Sequence, residues 1–203
     1  MNIQDGTGTS YQAKVDKRNQ LHTFSVIESV VEDAVLKGQA YNINTGAIGL
    51  TSSTASAVLY FKNNEAPVNG ESAFFVDAIA VGIDSAGTTA SMSDITIVRN
   101  PTAGTIVSGA TEVDIHANRN FGSSEVLVDS IIYKGAEGNT LTDGDDYAIF
   151  KQAAGTRGYY TLNTLLERGS SIGVKIDTQT TSGTTNVYVA LIGHRVDGNQ
   201  ATA

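Results

Sequence analysis

Val187-Tyr188-Val189-Ala190-Leu191-Ile192 is an unbroken apolar run. Upstream it is bounded by Gln179-Thr180-Thr181-Ser182-Gly183 and downstream by Gly193. Its brevity and its β-branched and aromatic content read as a strand rather than a buried helix. A strand apolar on both faces belongs in the middle of a sheet, covered on both sides. Ala57-Val58-Leu59-Tyr60-Phe61 and the segment 74–81 read the same way. Elsewhere the pattern alternates. Ile172, Val174 and Ile176 interleave with Ser171, Gly173, Lys175 and Asp177, and Val113 and Ile115 with Glu112, Asp114 and His116. Such strands keep one face in water.

Candidate strands are 41–50, 56–62, 73–83, 93–99, 104–108, 111–116, 125–133, 147–151, 157–162, 171–177 and 186–195. Clusters of Gly, Asn, Asp, Ser and Thr punctuate them. The expected fold is all-β: an antiparallel β-sandwich, jelly-roll-like, of about eight to ten strands. The longest expected loops are 62–72, 117–124 and 134–146, and residues 162–169 read as one helical turn ending at Gly169. Residues 27–38 leave two readings open. Ile27, Val30, Val31, Ala34 and Val35 form a helical stripe between a possible N-cap at Ser29 and a stop at Gly38, whereas their β-branched content favours a strand. Near the N-terminus, Tyr11, Ala13 and Val15 alternate with polar residues, and Leu21 to Val26 can return as the second strand of a hairpin. These readings divide the chain into an N-terminal arm and connector, 1–38, and a sandwich body, 39–203. Tyr11, Ala13, Val15 and Leu21 are the expected interface residues.

The chain has 203 residues, no cysteine, two prolines and a net charge of −8. Disulfides, thiolate chemistry and Cys-based zinc sites are excluded. The acidity and the lack of a Lys/Arg cluster argue against nucleic acid, whose binding depends on phosphate neutralisation. No signal peptide and no membrane-length apolar run is legible, so a soluble chain made in the cytoplasm is expected.

Motifs with chemical meaning are few. Gly169-Ser170-Ser171-Ile172-Gly173 matches the nucleophile-elbow pattern, but that elbow needs a helix after its serine and a strand is expected here. His22, His116 and His194 have no metal-ligand spacing. Asp143, Asp145 and Asp146, with Glu137, are weak calcium candidates in an acidic turn that lacks the EF-hand ligand order. Asp5-Gly6-Thr7-Gly8-Thr9-Ser10 lacks the strand, helix and lysine of a phosphate loop. With aromatics at 7% and no tryptophan, a sugar-stacking cleft is not expected. No catalytic residue, metal or cofactor is expected.

Several stretches resemble small structural proteins of tailed-phage virions. They are Asp5-Gly6-Thr7-Gly8-Thr9-Ser10-Tyr11-Gln12-Ala13-Lys14-Val15-Asp16 with Asn19-Gln20-Leu21-His22-Thr23; Gly38-Gln39-Ala40-Tyr41-Asn42-Ile43-Asn44-Thr45-Gly46 with Leu59-Tyr60-Phe61-Lys62-Asn63-Asn64; Arg99-Asn100-Pro101-Thr102-Ala103-Gly104-Thr105; Asn118-Arg119-Asn120-Phe121-Gly122; and Tyr133-Lys134-Gly135-Ala136-Glu137-Gly138-Asn139. The resemblance carries no catalytic residue. It implies a virion protein that decorates or cements the capsid exterior as a homo-oligomer, a trimer by preference. Its partners would be the major capsid protein or other virion subunits. The alternatives are a neck or tail accessory (a collar or adaptor) and, from another class, a carbohydrate-binding or hydrolytic β-sandwich.

Overall fold

The computed structural model describes residues 29–51, 54–66, 72–84, 92–113 and 117–197. The N-terminal arm with Tyr11, Ala13, Val15, Leu21 and His22, the residue His116 and the C-terminal tail lie outside the described residues.

The fold begins with α1 (Val30–Leu36). The open reading of 27–38 resolves as helix over Val30–Leu36, with 27–28 outside the described residues, because its end is well stopped. Gly38 takes φ +71°, the Gly38 N–H donates to the Val35 carbonyl and the Gln39 N–H to the Ala34 carbonyl. That pair of bonds is a Schellman cap, which satisfies carbonyls that a strand would have left to the sheet.

Ten strands follow among the described residues: β1 (Ala40–Leu50), β2 (Ser56–Lys62), β3 (Ser72–Ile83), β4 (Ser93–Arg99), β5 (Thr111–Glu112), β6 (Ile131–Lys134), β7 (Asp145–Gln152), β8 (Arg157–Glu167), β9 (Ser171–Asp177) and β10 (Thr185–Asp197). Between β4 and β5 lies α2 (Thr105–Gly109). The strands form two sheets, one ordered β1-β10-β3-β8 and the other β5-β6-β2-β9-β4-β7. Every pairing is antiparallel.

One apolar core joins the sheets. Ile43, Phe74, Ile79, Val189 and Leu191 come from the four-stranded sheet; Val58, Phe61, Ile95, Ile97 and Val174 come from the other. The Phe61 and Phe74 rings meet across the interface at 4.8 Å between centroids. The mostly β, two-sheet reading therefore holds, and β2 is central as expected. Its outward side chains Ala57 and Tyr60 are covered by Ile106 of α2 with Val107, Ile131 and Leu141 beside it. The chain covers this strand with its own insertion.

Four element readings need correction. Residues 104–108 do not form a strand. Gly104 at φ +131° turns the chain, and Thr140 receives the Thr105 and Ile106 N–H groups, so Thr105-Ile106-Val107 winds into α2 despite its β-branched residues. Segment 125–133 is strand only from Ile131, because the Asp129 and Ser130 N–H groups donate to the Glu65 carboxylate rather than to a ladder. The strand expected at 111–116 ends at Glu112, with 114–116 outside the described residues. The expected helical turn at 162–169 is instead the second half of β8, whose burial alternates strictly across a register shift with Asn163 at φ +49°; Leu165 on the exposed face beside buried Leu166 hides that alternation in the sequence.

Candidate functional site

The elbow motif resolves into packing. Arg168-Gly169 makes the turn out of β8, and β9 begins at Ser171 itself, so a strand and not a helix follows the serine. The buried Ser171 hydroxyl donates to the Pro101 carbonyl at 2.8 Å, and its N–H donates to Asn100 Oδ1 at 3.1 Å. A Cβ on Gly173 would lie 2.4 Å from Leu141 Cδ1, so this glycine admits a leucine from the loop between β6 and β7. His194 stands on the other sheet. Its Nδ1 lies 3.2 Å from Asp77 Oδ1, and its ring packs on Phe75 at 5.3 Å.

The acidic turn is tied to its own chain. Asp143 Oδ1 accepts the Thr102 and Ala103 N–H groups at 2.9 and 2.8 Å, and Oδ2 accepts the Thr102 hydroxyl. The Thr102 hydroxyl and these backbone donors hold the Asp143 carboxyl below the usual aspartate range. Asp146 pairs with Lys175 at 3.2 Å. Glu137 turns away and accepts the Thr51 N–H and hydroxyl at 2.9 and 2.7 Å. Among the described residues no group of three or more His, Asp or Glu side chains is placed to hold a metal.

A buried polar cluster has no signature in the sequence. Glu65 is 3% exposed; its Oε1 accepts the Asp129 and Ser130 N–H groups at 3.1 and 2.9 Å, and its Oε2 lies 3.9 Å from the Arg195 guanidinium. Nearby, burial pushes the Tyr41 phenol up to about 12, with Arg195 opposing that rise and Glu65 adding to it. Tyr41 Oη and Ser130 Oγ are buried without a hydrogen-bond partner. The cluster ties the 63–66 and 129–130 segments to β10. Its residues are far apart in sequence, so only the fold brings them together.

The described surface offers several concavities, one of them over the acidic turn, and two others lie on the sheets. The β1 edge is guarded: Asn42 N–H donates to Ala117 O, Arg119 N–H to Ala40 O, and Lys134 Nζ reaches Ala47 O. Among the described residues the β7 and β8 edges carry no such partner. Tyr147, Ile149, Tyr159 and Leu165 stand exposed on them. Between them a groove of about 350 Å³ is lined by Tyr147, Leu165, Arg99 and Ile172, and the Tyr147 hydroxyl meets Thr164 Oγ1 at 3.1 Å. A wider bowl of about 640 Å³ opens on the outer face of the four-stranded sheet around Asn44, Gly82, Asp84, Arg157, Tyr188 and Ala190. No protein-family model matches this chain, and no curated protein matches it.

Proposed function

We propose that this chain is a structural part of a tailed-phage virion that decorates or cements the capsid exterior through protein–protein contacts, without enzymatic activity. We propose further that its sandwich is a jelly roll. With β5 and β6 set aside, the eight remaining strands pair first with last, β1 with β10, β2 with β9, β3 with β8 and β4 with β7. That order supports an eight-stranded hairpin folded over into two sheets, an architecture found in viral capsid domains and in lectins.

Fold alone does not assign function. The observation that carries the reading is the β7–β8 side, where two edge strands, each unpaired on one side among the described residues, frame a groove beside four large exposed apolar side chains. Unpaired edges and clustered apolar surface mark protein contact sites. The partner in this reading is the major capsid protein or another virion subunit, with the chain itself assembled as a homo-oligomer, a trimer by preference.

The test uses particles that lack the protein, to which purified chain is added back. Ile149→Asp and Leu165→Asp each place a charge on an exposed position and leave the core alone. Both variants should fold and should occupy the particles poorly. Occupancy equal to that of the unaltered chain would remove the β7–β8 side from the reading.

A further inference from the structure

The bowl on the outer face of the four-stranded sheet is built from a register row. β1 Ala47, β10 Tyr188, β3 Gly82 and β8 Arg157 stand side by side across the sheet. The next row is Asn44, Ala190, Ala80 and Tyr159. Paired residues share a face, so all eight positions look outward. The floor is small: Gly82, Ala80 and Ala190. Large or polar side chains rise around it.

Three features of these walls are left unused by the fold. The Tyr188 ring lies across Gly82. Its Cδ2 and Cβ are 3.6 and 3.7 Å from the point that a Gly82 Cβ would occupy. One ring face is thus seated on backbone, and the residue is still 37% exposed. The Arg157 side chain has no hydrogen bond or ion pair among the described residues; its Cγ lies beside the same glycine and its charge acts on the Tyr188 phenol. Asp84 Oδ2 receives two long bonds, from the Tyr188 hydroxyl at 3.3 Å and from Asn186 Nδ2 at 3.4 Å, and among the described residues no bond reaches Oδ1.

An aromatic face, a free guanidinium fork and a carboxylate oxygen at one shallow bowl fit a polyhydroxylated ring. The apolar C–H face of such a ring stacks on an aromatic side chain. Its adjacent hydroxyls match the paired donors of Arg and the acceptor of Asp, and each becomes a charge-assisted hydrogen bond. The volume of about 640 Å³ is within the usual range for a small-molecule site. We infer that the Tyr188–Arg157–Asp84 bowl is a saccharide-binding site for a neutral sugar ring. Neutral rather than acidic rings are assigned because the Asp84 carboxylate shares the bowl with Arg157 and repels a second carboxylate. The low aromatic content of the sequence pointed the other way. The sheet register overrides that by placing Tyr188 and Tyr159 on one face.

The inference does not rest on a virion role. Titrate full-length protein with methyl glucoside, methyl galactoside, methyl N-acetylglucosaminide and glucuronate, and follow backbone amide resonances. A single ring should bind with a Kd of about 1 mM and should move the amides of Gly82, Arg157 and Ala190. Tyr188→Ala and Gly82→Val should each weaken binding by about tenfold or more while thermal unfolding stays cooperative. Tyr188→Ala removes the platform, and Gly82→Val, which keeps every polar group, lifts the ring from its seat and crowds the Arg157 stem. The inference is overturned if no saccharide moves those amides, if glucuronate alone does so, or if both variants bind as the parent does. Ile149→Asp should leave this titration unchanged, so the docking and saccharide readings fail separately.

Discussion

At the scale of single residues, the informative positions are buried polar ones. The Tyr41 hydroxyl is enclosed in the core without a partner. Tyr41→Phe should therefore be neutral or stabilising by up to about 2 kcal/mol, because it removes an unsatisfied polar atom and keeps the ring that packs on Phe74. The same residue sets an alkaline limit. Its folded-state pKa is raised to about 12, so the stability it contributes is full below the unfolded tyrosine value of about 10 and is lost as pH rises from there toward the folded value. Denaturant midpoints across that window should fall for the parent and fall less for Tyr41→Phe. Glu65→Ala has the opposite character. It strands two backbone N–H groups and the half-buried Arg195, and should cost about 3–5 kcal/mol by denaturant unfolding. Asp143 is exposed, and its carboxyl is held low, so its tie to Thr102 and Ala103 is present at neutral pH and is lost as pH falls through the folded pKa. The midpoint difference between parent and Asp143→Ala should shrink below about pH 4.

At the scale of elements, the sequence was legible where one strong pattern ruled. The segments 56–62, 93–99 and 171–177 were read to the residue, because apolar runs or strict alternation end at turn clusters. It was illegible where distant groups decide. Nothing near Thr105-Ile106-Val107 says that Thr140 will take its N–H groups, and nothing near Asp129 says that Glu65 will. The same holds for the candidate sites. The elbow and the acidic turn were visible as strings and became packing and turn ties, whereas the saccharide bowl depends on a register that pairs Gly82 with both Tyr188 and Arg157. The α2 insertion gives an element-level prediction. Ile106 is fully buried over Tyr60. Ile106→Ala should cost about 2–5 kcal/mol and uncover the outer face of β2. A loss below about 0.5 kcal/mol would mean that another part of the chain replaces this cover.

At the scale of the whole molecule, the question is which surface a partner covers. Strands 57–61 and 74–81, apolar on both faces, are expected to need cover from outside one sandwich; α2 supplies it for the outer face of 57–61. The surface that still asks for a partner is the β7–β8 side with Tyr147, Ile149, Tyr159 and Leu165. Sedimentation should show an oligomer of the 21.2 kDa chain that dissociates on dilution. The N-terminal segment carries its own expectation from sequence: removal of residues 1–23 should leave a folded body that binds particles more weakly. The central claim is that many copies of this chain dress a capsid shell. Quantitative mass spectrometry of purified virions counts them directly. The account predicts hundreds of copies per particle, as a surface lattice requires. About 6 to 18 copies would place the chain in a neck or tail ring instead, and no copies in the purified particle would contradict the virion reading altogether.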